Sequence, residues 1–390
     1  MVRKNGRDYN PTMNPTYLEY PGLLGKLSSE EFLARYWQKK PLLVRGAIPG
    51  FGSGLSRDEL LGLSERQDVE SRFVAQDGDH WELRHGPFRS KEFRRRRTPW
   101  TVLVQSVNQV LPAGETITQA FDFIPYARLD DLMVSYATDG GGVGPHIDNY
   151  DVFLVQGLGR RRWRVGLQKD CTLKDGLPLR ILKNFTPTLE WILEPGDMLY
   201  LPPNWAHDGV AVGECMTWSI GFRAAPAQEI GTQFLDFLQD RLCLDGNYRD
   251  PGLQQQKHPA EIGTAMIKQV HQLLAGIRWN KDTIRDFLGA SLSEPKPQVV
   301  FDLPAKPLGI KQFVKLARRR GVRLDSRSRM LFSAGHFYLN GEREVIPRGT
   351  LASFRELADR RECNQLTGLP LAGFEILHAW YCDGYLHLKQ

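Results

Sequence analysis

The stretch Gly140-Gly-Gly-Val-Gly-Pro-His146-Ile-Asp148-Asn-Tyr150, answered by Gly196-Asp-Met-Leu-Tyr-Leu-Pro-Pro203 and then His207, decides how this chain of 390 residues is read. Side chains alternate across a strand, so a strand through this segment aims His146 and Asp148 to one face and Ile147 to the other. The glycines let backbone approach closely, and Pro145 fixes the entry. Downstream, Pro195-Gly196 forms a turn into a short buried strand that stops at Pro202-Pro203, which puts His207 just beyond a strand end. Two imidazoles and one carboxylate, with the opposite positions open, suit ferrous iron that handles oxygen.

Outward from this stretch, residues 117–223 carry many short apolar runs bounded by glycine and proline. The spacing predicts strands at 131–137, 151–156, 161–165, 190–193, 198–201, 209–212 and 216–222, the signature of an all-β sandwich or barrel. Upstream, Ser28-Ser-Glu-Glu31 and the apolar positions Phe32, Leu33, Tyr36 and Trp37 predict a helix leading into a strand at 41–45. Short helices are expected at 57–66 and 99–110, with a hairpin over 73–84 around Asp77-Gly78. Helical periodicity returns between 226 and 290, where the apolar faces pack onto the barrel or across a dimer interface. The last part reads as a helix at 309–320, a hairpin across Asn340-Gly341, a helix at 350–361 and a closing hairpin across Asp383-Gly384. That order resembles a winged helix.

The composition is 41% hydrophobic and 10% aromatic, and the length implies two or three domains. No apolar run is long enough to cross a bilayer, and the first twenty residues lack the apolar centre of a secretory signal, so a cytoplasmic protein with no membrane association is expected. Cys171, Cys215, Cys243, Cys363 and Cys382 are odd in number and widely spaced, which argues against a disulfide framework or a zinc cluster. A net charge of +6 is too diffuse to make nucleic acid the primary ligand. Of the basic runs at 94–97, 160–164 and 318–320, the first and third read as solvated faces or loop tips.

Arg161 stands apart from those runs. Alternation along 161–165 groups it with Trp163 and Val165, away from Arg160, Arg162 and Arg164. A guanidinium on a partly apolar face requires an anion, and its flat fork matches a carboxylate in two hydrogen bonds. A bound dicarboxylate satisfies it; a structural salt bridge to a protein carboxylate is the alternative. On 131–137, Asp131, Met133 and Ser135 share a face; Tyr150 follows His146 and Asp148 on theirs. Together they outline a pocket with one acidic end, suited to a long cationic side chain. Thr217 and Ser219 share a face of the last barrel strand and are expected to reach the same cavity.

At these residues the chain resembles the JmjC branch of 2-oxoglutarate-dependent oxygenases, in its bacterial ribosomal oxygenase form. The resemblance is carried by residues 32–45, 130–135, 140–164 and 196–207, and continues into the helical and C-terminal segments. It implies a β-rich α+β fold: a double-stranded β-helix (cupin jelly roll) at 1–225, a helical dimerisation segment at 226–294 and a winged helix at 295–390 that serves protein packing more than DNA reading. It also implies Fe(II), 2-oxoglutarate and O2, with His146, Asp148 and His207 as the catalytic metal ligands. Arg161 holds the distal carboxylate of 2-oxoglutarate, assisted by Ser135 and Thr217; Asp131, Met133, Tyr150 and Ser219 embrace a substrate arginine. The implied activity is hydroxylation of an arginine, at its 3-position, in a large-subunit ribosomal protein by a homodimer, with succinate and CO2 as co-products. Hydroxylation or demethylation of another residue, a non-catalytic cupin module and a zinc hydrolase on the same barrel are the competing readings.

Overall fold

The computed structural model describes residues 20–52, 54–93 and 97–389. Nearly all of the segment read as lacking a secretory signal, and Arg94, Arg95 and Arg96 of the first basic run, lie outside the described residues. Helix α1 (Ser29–Arg35) forms where expected, because Ser28 Oγ accepts from the Glu31 amide at 3.1 Å while Glu31 Oε2 accepts from the Ser28 amide at 3.0 Å. Phe32 leaves this helix fully buried, with ring centroids 4.9 Å from Tyr200 and 5.6 Å from Phe153. Strand β1 (Leu42–Val44), helix α2 (Arg57–Leu63) and the hairpin of β2 (Ser71–Asp77) with β3 (His80–His85) also follow the sequence pattern.

The short helix expected over 99–110 is instead strand β4 (Trp100–Val104), all five residues buried. A brief apolar run has no periodicity to separate strand from helix, and here Thr101, Val102 and Val104 are β-branched and paired on both sides by β2 and by β5 (Leu129–Ala137). Helix α3 (Pro112–Gln119) precedes β5 in the chain.

The centre of the sheet consists of two long strands, β6 (Tyr150–Gly166) and β9 (Ala206–Arg223), each of which the sequence had suggested as two. Their register shifts between Gln156 and Arg160. Gly159 lies at φ +60° there, and a Cβ on it would overlap the Glu214 carbonyl, so the bend requires glycine. Before the bend β6 pairs with β8 (Met198–Leu201), and after it with β7 (Leu189–Leu193), while β9 runs along both halves. The nine strands take the order β1-β8-β6-β9-β5-β4-β2-β3, with β7 on β6, and the sheet is the expected double-stranded β-helix. Asp151, fully buried, ties this barrel to its N-terminal cover: it accepts from Tyr200 Oη at 2.6 Å, Gln38 Nε2 at 2.9 Å and Arg128 Nη2 at 3.2 Å.

Helices α4 (Ala227–Gln239), α5 (Thr264–Leu274) and α6 (Lys281–Ser293) come next. The C-terminal part comprises α7 (Ile310–Arg320), β10 (Val322–Leu324), β11 (Met330–Ser333), β12 (His336–Leu339), β13 (Glu342–Glu344), α8 (Leu351–Arg360), β14 (Glu362–Cys363), α9 (Leu371–Cys382) and β15 (Leu386–Leu388). The hairpin across Asn340-Gly341 is present, and α6 packs on it: Gly289 admits the Tyr338 ring, whose hydroxyl donates to Asp286 at 2.6 Å. The second expected hairpin is absent. Asp383-Gly384 ends helix α9, with Gly384 at φ +75°, and β15 pairs with β10 instead. The C-terminal part clasps the barrel through Arg361 Nε to Glu115 at 2.8 Å and Arg329 Nη2 to the Leu129 carbonyl at 2.5 Å. All five cysteines are free, and no described helix is long and apolar enough to cross a membrane.

Candidate active site

His146 is not inside a strand. It forms an isolated bridge with His207, and β6 starts only at Tyr150, so His146 and Asp148 converge from an extended lead-in rather than by strand alternation. A Cβ at Gly142 would lie 2.6 Å from the Gly209 carbonyl oxygen, so that lead-in lies flat against the start of β9 because it is glycine there. His207 lies past the end of β8, as the second residue of β9.

The donor atoms of His146, Asp148 and His207 lie within 4.8 Å of one another, and they are the one such group found among the described residues. Asp148 Oδ2 is 3.3 Å from His146 Nε2 and 3.7 Å from His207 Nε2. Each Nδ1 lies 2.9 Å from a main-chain carbonyl, that of Gly144 for His146 and that of Trp205 for His207. A carbonyl only accepts, so each ring carries its proton on Nδ1 and presents the Nε2 lone pair inward. Burial, with the neighbouring His146, pushes the His207 pKa down to about 4. Burial also opposes charge on His146, but the Asp148 carboxylate outweighs it and the net shift is upward. Burial acts against the Asp148 charge too, and His146 and His207 overcome it, holding that carboxyl well below the usual range. Two neutral-capable imidazoles and an ionised carboxylate on one side of an open cavity fit a divalent iron.

That cavity has a volume of about 570 Å³ and is lined by nine of the ten residues singled out in the sequence. Arg161, which lines the cavity, is buried, 5% exposed; Nη1 donates to Ser135 Oγ at 3.3 Å, while Nε and Nη2 have no partner. Among the described residues no carboxylate pairs with it, which removes the salt-bridge alternative. Two buried, unpaired N–H groups on a guanidinium are the observation that fits an anionic carboxylate entering from the cavity. Thr217 is the exception among the ten. It is fully buried, donates to Gln156 Oε1 at 3.1 Å and does not line the cavity, so its expected contact with the cosubstrate is corrected; Ser219, two residues on, does line it.

Asp131, Met133 and Tyr150 line the same cavity. The Tyr150 hydroxyl donates to Asp130 Oδ2 at 2.8 Å, and burial raises its pKa. Asp131 Oδ2 accepts from the Ser106 amide at 3.0 Å and the Ser106 hydroxyl at 3.2 Å. Ser106 reaches it with a left-handed backbone, φ +55°, a conformation uncommon outside glycine. Sequence reasoning missed three participants. Arg72 on β2 lines the cavity with its Nε unpaired, and an arginine sharing a strand face with Val74 was the available signal. Asp130 lines the cavity beside Asp131. Lys296, between Pro295 and Pro297, carried no signal; its Nζ lies 3.0 Å from Asp131 Oδ2.

Comparison with known proteins agrees with this architecture. A family described as JmjC domain matches residues 116–230, and one described as ROXA-like winged helix matches residues 276–387. The chain is 33% identical over 332 residues to "Ribosomal protein uL16 3-hydroxylase" of Escherichia coli K12, covering 82% of this chain and 86% of that protein. It is 40% identical over 264 residues to "Probable ribosomal oxygenase" of Haemophilus influenzae, covering 64% and 63%. The solved structure of the E. coli ribosomal oxygenase YcfD in complex with cobalt and 2-oxoglutarate superposes with a TM-score of 0.80 at 30% identity, over 94% of this chain and 99% of that one. With similarity that spans both the barrel and the C-terminal part, this chain belongs to the JmjC-domain ribosomal oxygenases, a branch of the 2-oxoglutarate-dependent dioxygenases.

Proposed function

We propose that this protein is an Fe(II)- and 2-oxoglutarate-dependent hydroxylase that places a hydroxyl on the 3-position of an arginine side chain in a large-subunit ribosomal protein. His146, Asp148 and His207 hold the iron. Arg161, steadied by Ser135, holds the distal carboxylate of 2-oxoglutarate, and its unpaired Nε and Nη2 supply the N–H groups. Bound iron, with O2, couples decarboxylation of 2-oxoglutarate to succinate and CO2 with insertion of one oxygen atom into a C–H bond. The chain's own side chains orient and enclose rather than exchange protons.

Asp131 receives the substrate guanidinium, and Met133, Tyr150 and Ser219 flank its methylenes. The observation that carries this reading is one cavity lined by the His146–Asp148–His207 cluster, a partnerless guanidinium and a carboxylate pair. Arg161 would then receive an anionic cosubstrate and Asp131 a cationic side chain within the cavity that the three metal-ligating residues line.

We place the oxygenase domain at 1–225, the helical segment at 226–294 and the winged helix at 295–390. Leu235 on α4 and Ile267 and Leu274 on α5 are each more than half exposed, which supports a homodimer formed through these helices. The protein acts in the cytoplasm, where ribosomal proteins are available to it. Succinate release with a uL16 peptide, compared with the same peptide carrying citrulline for arginine, tests the reading. Release with the arginine peptide alone supports it, and equal release with both removes arginine as the substrate residue.

A further inference from the structure

Resting on the arginine-hydroxylase reading above, we propose that Lys296, carried by the segment between α6 and α7, is a positioning residue of the substrate pocket: its ammonium offsets the repulsion between Asp130 and Asp131 and keeps Asp131 aimed for one cationic side chain. Lys296 Nζ lies 3.0 Å from Asp131 Oδ2 and 3.7 Å from Asp130 Oδ1. It comes from outside the cavity, whose lining includes both carboxylates but not the lysine. With the Ser106 amide and hydroxyl and the Gln105 side-chain amide it occupies Oδ2, and it is the charged donor among them. Prolines at 295 and 297 restrict the backbone on either side of it.

Two adjacent carboxylates repel, and a cation held between them offsets that repulsion. An Asp131 swung away from Asp130 no longer faces a guanidinium in the cavity. Glu70 and Arg329 face the same cluster at longer range, and neither forms an ion pair with Asp130 or Asp131 among the described residues. The ammonium also links the C-terminal part to the oxygenase pocket, so substrate recognition depends on a residue outside the barrel.

The test is steady-state kinetics of the full-length iron-loaded protein with the uL16 arginine peptide. If the wild type does not hydroxylate that peptide, the arginine reading itself fails. Given wild-type turnover, Lys296→Met should raise the peptide KM about tenfold, the factor for one charged hydrogen bond, with kcat and the KM for 2-oxoglutarate changing less than about threefold. Lys296→Arg should restore the peptide KM. The double variant Lys296→Met/Asp130→Asn should recover most of the loss, because it removes the repulsion that the ammonium offsets. An unchanged peptide KM in Lys296→Met overturns the proposal. So do losses that add in the double variant, or a parallel rise in the KM for 2-oxoglutarate, since either marks a merely structural contact.

Discussion

The imidazoles of His146 and His207 are set by their own backbones: the His146 amide donates to the His207 carbonyl at 3.0 Å, and the His207 amide to the His146 carbonyl at 2.9 Å. This pair of bonds joins the glycine-rich lead-in to the first turn of pairing in β9. The ring centroids stand 4.3 Å apart as a result. Geometry of the metal group is therefore built by main chain, and side-chain changes there alter chemistry more than fold.

His207→Ala should consequently bind cobalt at least about a hundredfold more weakly, beyond the range typical of changes to groups that merely support a ligand, while its far-ultraviolet circular dichroism stays that of the wild type. Titration of cobalt absorbance checks this. Wild-type affinity in the variant would place the metal elsewhere.

Arg161→Met removes the guanidinium that has two partnerless N–H groups. Two charge-assisted hydrogen bonds, at about 1.5–3 kcal/mol for each, imply a Kd for 2-oxoglutarate raised by roughly a hundredfold or more, with metal affinity little changed. Calorimetric titration of 2-oxoglutarate into the cobalt-loaded variant reads it directly.

The two histidines respond differently to acid. Burial and the charge of His146 hold His207 neutral down to about pH 4, whereas His146, raised by Asp148 against burial, carries a proton at pH values below its shifted pKa. A metal must displace that proton. Cobalt affinity should fall by up to about tenfold per pH unit as pH drops through the His146 value, with one proton released per ion bound. Titrations at pH 8 and pH 6 in two buffers of different ionisation enthalpy would show the release; no release and no pH dependence would contradict the assignment.

Asp151 offers a test of the scaffold. Its replacement by alanine leaves the Tyr200 hydroxyl, the Gln38 amide and the Arg128 guanidinium without their shared acceptor. A loss of about 3–5 kcal/mol in urea unfolding is expected, the cost of leaving a buried charge network incomplete. Asp151→Asn should lose less.

The barrel and the metal group were legible because glycine, proline and strand alternation act within a few residues of His146 and His207. Even so, alternation placed His146 in a strand that starts only at Tyr150. Trp100–Val104 was misread because five apolar residues show no period, and its strand identity comes from β2 and β5 on either side. Thr217 was misassigned because alternation gives a face and not where along that face the cavity ends. Lys296 was invisible, since 165 residues separate it from Asp131 and the contact exists only once the C-terminal part has docked.

Arginine hydroxylation is the central claim, and tandem mass spectrometry of a uL16 peptide after incubation with the iron-loaded protein, 2-oxoglutarate and O2 tests it most directly. The account predicts one added oxygen on the β-carbon of a single arginine, with one succinate formed for each, and none with Asp131→Ala. An added oxygen on a histidine, or loss of a methyl group from lysine, would contradict it.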